Sequence, residues 1–135
     1  QEWVYENPTA TPTERKAKYR EIEKIFLPHL DYDGNEFLEA GGRWQKQLHV
    51  YLYPFYYLDY TLSQVCAQQY LTWSRQDKAA AWKSYLDLCR NSGKKPFKQL
   101  VPDSGLLSPF DEGTIAKITP ELEAYLNSLD YSKIH

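Results

Sequence analysis

Six aromatic residues fall within ten positions: Tyr51, Tyr53, Phe55, Tyr56, Tyr57 and Tyr60. His49 stands just before them. Tyrosine hydroxyls sit on rigid side chains that cost little entropy to hold in place. Such donors suit gripping a peptide backbone, or donating to an oxygen that becomes negative in a transition state. An imidazole in their company is a candidate donor to a polarised carbonyl. The other use of an aromatic stripe is to cover a neighbouring domain or subunit, and spacing alone leaves both uses open.

Helical placement at about 100° per residue sorts this segment into two sides. Phe55, Leu58, Leu62 and Val65, joined by Cys66 and Trp73, form the apolar side expected to face a core. Tyr53, Tyr57, Tyr60 and Gln64 fall opposite, a row of hydroxyls ending in an amide rather than a surface of Lys and Glu. Pro54 leaves Tyr53 either on the helix or just before it.

Metal and nucleophile patterns are absent from the sequence. There is no His-Glu-x-x-His helix, and no Cys pair has ligand spacing. Asp31-Tyr-Asp33-Gly-Asn35 opens like a calcium loop, but its sixth position is Glu36 and its twelfth is Gly42, so it reads as a solvated Asx-rich turn. Gly41-Gly42 lacks the pattern of a phosphate loop. His29 and His135 have no chemical company and receive no role.

The elements that must position the tyrosines are helical. Thr11-Pro12-Thr13-Glu14 marks a helix start, after which Tyr19, Ile22 and Phe26 recur at helical spacing until Pro28. A second long helix is expected from about Pro54 to about Ser74. Asp77 caps a third, with an apolar face of Trp82, Tyr85, Leu86 and Cys89 and an end at Asn91-Ser92-Gly93. A short helix is expected around Phe97 to Val101, and a last one from Thr119-Pro120 burying Leu122, Tyr125, Leu126 and Leu129. No alternating pattern exceeds Val50 to Tyr53, so the class is all-α.

At 135 residues the chain is the size of one domain. Its 16 basic and 18 acidic residues are dispersed, which argues against a nucleic-acid partner. Its most apolar region, Leu48 to Leu71, is broken by Asp59, Ser63, Gln64, Gln68 and Gln69, which argues against a membrane span. Cys66 and Cys89 read as small buried hydrophobes in a reducing cytoplasm, and no signal peptide is evident. The chain contains no Met and opens inside an apparent element, as a fragment would.

The run Gly41-Gly42-Arg-Trp44-Gln-Lys-Gln47-Leu-His49-Val-Tyr51, leading into Pro54-Phe55-Tyr56-Tyr57-Leu-Asp59-Tyr60-Thr-Leu-Ser-Gln64, resembles the C-terminal region of oligoendopeptidase F, a thimet oligopeptidase-like zinc metallopeptidase. Trp3-Val-Tyr5-Glu6-Asn7-Pro8, Ala81-Trp82-x-x-Tyr85 and Gly105-Leu-Leu-Ser108-Pro109-Phe110 extend the resemblance over essentially the whole chain. The resemblance implies a mostly helical two-lobed enzyme with a channel for short peptides. It implies zinc held by a His-Glu-x-x-His helix and a later Glu, none of which lies in this chain. Residues 1–135 are then a single-domain C-terminal portion, without zinc ligands, whose partners are short peptides and the missing N-terminal part of the same enzyme. On the same resemblance His49 and Tyr60 are the catalytic candidates, with Tyr60 the oxyanion donor. His49, Tyr53, Tyr56, Tyr57 and Gln64 are substrate contacts. The piece alone is expected to be inactive. The competing expectation is a free-standing all-α domain that binds a peptide or protein through its aromatic stripe.

Overall fold

The computed structural model describes residues 1–130 and 132. His135 lies outside them. The described residues form eight α-helices and one 3-10 turn, with no strand among them. The helices are α1 (Glu2–Glu6), α2 (Pro12–Phe26), α3 (Glu36–Glu39), α4 (His49–Leu52), α5 (Tyr56–Gln76), α6 (Lys78–Asn91), α7 (Phe97–Asp103) and α8 (Thr114–Asn127). The turn, Gly42–Lys46, lies between α3 and α4. The fold is all-α. No described helix is long and apolar enough to cross a membrane. The chain divides into two compact units, Gln1–Leu58 and Asp59–His135.

In the first unit, α2 begins as its sequence dictates. The Thr11 hydroxyl accepts from the Glu14 amide, and the Glu14 carboxylate accepts from the Thr11 amide at 2.7 Å, closing a capping box. Its buried residues are Arg20 and Glu23, whereas Tyr19, Ile22 and Phe26, which recur at helical spacing, are not buried. Phe26 is exposed. Glu23 lies at the centre of a polar cluster: it accepts from Tyr32 at 2.6 Å, Arg20 at 3.1 Å and Arg43 at 3.4 Å. Arg20 also reaches Glu39 at 2.7 Å, so the cluster joins α2 to α3 and to the 3-10 turn. A buried carboxylate is tolerable only when ringed by donors in this way.

Gly41 shows why the Gly-Gly pair stands here. Its φ is +88°, and a Cβ would lie 2.0 Å from the Lys16 carbonyl oxygen. The pair lets one backbone close on another. The Asx turn forms as expected, with the Asp33 amide donating to Asp31 at 2.9 Å, and Asn35 then caps α3.

In the second unit the core is Cys66, Val101 and Leu106, with Tyr70 and Trp73 packed against it. Burial pushes the Cys66 thiol up from its ordinary pKa. Gln69 is buried and binds the α7–α8 connection through both ends of its amide: its nitrogen donates to the Leu107 carbonyl at 3.0 Å and its oxygen accepts from the Leu107 amide at 2.8 Å. Asp77 caps α6 by accepting from the Ala80 amide, and Gly93, φ +77°, lies just past the helix end.

Several apolar expectations fail in this unit. Ala81 is the buried residue of α6, whereas Trp82, Tyr85 and Cys89 are exposed. Helix α8 starts five residues before Thr119, which leaves Pro120 inside it. Gly113, at φ +76°, takes the N-cap position, and the buried Thr114 hydroxyl donates to the Ser108 carbonyl at 2.8 Å. Those contacts fix the start of α8. A Thr-Pro pair is only a generic helix-start signal, and here the chain reaches it already helical.

Candidate functional site

Helix α4 is a single turn that carries His49, and it ends at Tyr53, whose extended backbone closes it by donating to the His49 carbonyl. Pro54 and Phe55 then turn the chain into α5. Phe55 holds φ at +57°, a left-handed conformation unusual outside glycine. Two contacts support it: its amide donates to the Gln1 side chain at 2.8 Å, and its ring lies 5.6 Å from that of Tyr5. The Gln1 amide nitrogen also donates to the Val50 carbonyl at 3.2 Å, so one side chain ties α4 to the start of α5.

This turn brings Tyr56 and Tyr57, the first residues of α5, beside α4 and so groups four of the expected residues. The His49 ring stacks on Tyr57 with centroids 3.4 Å apart and planes 15° from parallel. Tyr56 lies 6.3 Å from both His49 and Tyr57, and 6.0 Å from Tyr53. The Tyr57 hydroxyl donates to the Gln47 side chain at 3.1 Å. A chain of hydrogen bond and stacking thus runs from Gln47 through Tyr57 to His49. Trp44 and Tyr51 form a separate pair, 5.8 Å apart.

Tyr60 and Gln64 sit one turn apart on α5, within the second unit, and both are exposed. The Tyr60 carbonyl accepts from the Ser63 hydroxyl at 3.0 Å. Every residue from Tyr51 to Tyr60 is exposed, including Tyr53 at 60%, Tyr57 at 51% and Tyr60 at 58%. The expected division into a core side and an open side therefore fails for Phe55 and Leu58, which are 46% and 51% exposed. Phe55 precedes the helix, and the buried stripe of α5 comprises Val65, Cys66, Gln69 and Thr72.

Gln47 is a neighbour of the candidate residues that residue spacing does not single out. It lies ten positions before Tyr57 across a sharp turn, so no helical periodicity links the two. Among the described residues, no three His, Cys, Asp or Glu side chains come together in a way that could hold a metal ion. The described residues do not fit a zinc site.

No protein-family model matches the chain, and no curated protein matches it. Solved structures do. A 3.1 Å structure assigned as an oligoendopeptidase F matches 96% of this chain at 49% identity with a TM-score of 0.88. A structure of PZ peptidase A with an inhibitor matches the same share at 50% identity and the same TM-score. A structure assigned as an oligoendopeptidase F, from Bacillus anthracis strain Ames, matches 99% of this chain at 40% identity with a TM-score of 0.72. This chain spans only 23%, 23% and 20% of those proteins. Identity at this level along nearly the whole sequence, with the fold retained, places the chain in the oligoendopeptidase F family as the counterpart of one segment of those longer proteins.

Proposed function

We propose that this chain forms the C-terminal part of the catalytic domain of a zinc-dependent, cytoplasmic oligoendopeptidase, where it is one wall of the channel that holds short peptides. His49 and Tyr60 donate hydrogen bonds to the carbonyl under attack, with Tyr60 facing the oxygen as it becomes negative. Tyr53, Tyr56, Tyr57 and Gln64 contact the peptide. The metal and the group that activates water belong to the N-terminal remainder of the enzyme, which is this chain's partner.

The observation that carries this reading is the stack of His49 on Tyr57, anchored by Gln47, in a chain akin to peptidases. A stacked ring with a hydrogen-bonded neighbour is held in one orientation before any substrate arrives. Donors fixed in that way need no reorganisation when charge develops on the substrate, which is the source of their catalytic effect. The exposure of the surrounding phenols leaves them accessible to a peptide.

The test uses the intact enzyme and a fluorogenic peptide. Tyr60→Phe removes one hydroxyl and should lower kcat on the order of 10²-fold while leaving KM nearly unchanged. A near-normal rate would assign Tyr60 to packing and withdraw its catalytic role.

A further inference from the structure

The first unit contains a cavity of about 290 Å³ on the side of α4 lined by Val50 and Tyr51. Its walls are mainly the rings of Trp3, Tyr5, Tyr19 and Trp44 with Ile22, and no Asp or Glu lines it. Two cations do, Arg15 and Lys18. Lys18 pairs with the exposed Glu21 at 2.7 Å. Arg15 makes no ion pair among the described residues: one terminal nitrogen donates to the Pro8 carbonyl at 3.2 Å, and its buried Nε has no acceptor. The buried indole nitrogen of Trp44 lacks one too.

We propose that this cavity is a socket for an aliphatic or aromatic side chain flanked by a carboxylate, carried by the part of the peptidase outside this chain. The proposal rests on the partner named in the functional reading above. Charge complementarity selects the carboxylate, because an aromatic-walled pocket lined by the Arg15 guanidinium, which has no ion pair among the described residues, favours an apolar group next to an anion. The surface area argues for a macromolecular occupant. The chain exposes 10228 Å², whereas a compact protein of its mass exposes about 7,400 Å². Even two separate compact domains of the same combined mass would expose only about 8,900 Å². The excess over the two-domain figure, about 1,300 Å², exceeds the roughly 800 Å² that each partner buries in a standard protein–protein contact. Because Val50 and Tyr51 belong to the same helical turn as His49, an occupied socket also fixes the platform on which His49 stands.

The remainder of the enzyme, expressed as a separate polypeptide, is titrated onto this chain, with affinity and amide hydrogen exchange measured together. The expected result is binding that slows exchange at Val4, Ile22, Val50 and Tyr51. Arg15→Glu and Ile22→Trp, which reverses the charge and fills the cavity respectively, should each weaken binding on the order of tenfold. Lys83→Glu, on the exposed face of α6, should leave it unchanged. Binding without protection of those amides, or insensitive to both variants, overturns the socket and leaves the peptidase reading standing. No binding at all removes the partner, and the socket with it. Saturable binding of 3-phenylpropionate with no protection by the polypeptide would make the cavity a small-ligand site instead and also overturn the proposal.

Discussion

His49 and Tyr57 stack face to face, and the hydroxyl of Tyr57 points to Gln47 rather than being held only by its ring. The two interactions can be separated. Tyr57→Phe keeps the ring and removes the bond to Gln47, an exposed neutral pair worth about 0.5–1 kcal/mol at most. Folding stability measured by denaturant titration should barely change, while the KM of the intact enzyme should rise if the hydroxyl also meets the peptide. Tyr57→Ala removes the face on which His49 rests and should lower activity further. Gly41 makes a sharper case at the same scale. Its left-handed backbone and the 2.0 Å approach that a Cβ would make to the Lys16 carbonyl leave no room for any side chain. Gly41→Ala should destabilise the first unit by more than about 2 kcal/mol, read as a lower midpoint for its unfolding. The sequence displayed both Gly41 and the tyrosines plainly. It did not display Gln47 as a partner, because that contact depends on the turn at Pro54-Phe55 and on a positive φ no spacing rule assigns to Phe.

Capping signals at the ends of elements were legible, and tertiary boundaries were not. Thr11 and Asp77 cap their helices through bonds local to four residues, so the amino-acid types suffice to place them. The start of α8 depends on Thr114 meeting Ser108 across a loop, and Thr119-Pro120 misleads for that reason. Helix α2 carries the same lesson on its buried face. Its apolar residues Tyr19 and Ile22 line a cavity, while Arg20 and Glu23 are buried because Glu39, Tyr32 and Arg43 come to meet them. This cluster predicts a pH dependence. Burial by itself would push the Glu23 carboxyl up, but hydrogen bonds from Tyr32, Arg20 and Tyr19 outweigh it and hold the pKa below its ordinary 4.5. A carboxyl depressed in the folded state adds stability that is present in full above pH 4.5 and is lost as the pH falls through the folded value. Acidification below about pH 4.5 should therefore loosen the first unit progressively, followed by tyrosine fluorescence or amide exchange in α2 and α3. Glu23→Gln should flatten that dependence and cost about 1–3 kcal/mol at neutral pH, since it removes the anion that Arg43 shares with the buried Arg20 and leaves Arg20 with Glu39 alone.

At the scale of the molecule, the all-α class follows from the sequence because hydrophobic periodicity is a property of each helix alone. Burial is not such a property. Trp82, Tyr85, Phe55 and Leu58 are apolar residues at helical spacing and all are exposed. The chain spans 20–23% of the length of its relatives, and hydrophobic spacing reads the same whether or not another surface covers the face. Hydrolysis of a peptide requires an activated water as well as a stabilised oxyanion, and this chain offers hydroxyl and imidazole donors without a cluster able to hold a metal among its described residues. Donors alone recover only a small part of the acceleration that a complete site provides. The purified 135-residue chain, given zinc and a fluorogenic peptide, should therefore show no cleavage above background. Addition of the remaining polypeptide should restore cleavage, and Tyr60→Phe in this chain should depress the restored rate. Cleavage by the chain alone, co-purifying with it through successive columns and abolished by a chelator, would show that the chain contains a complete site of its own.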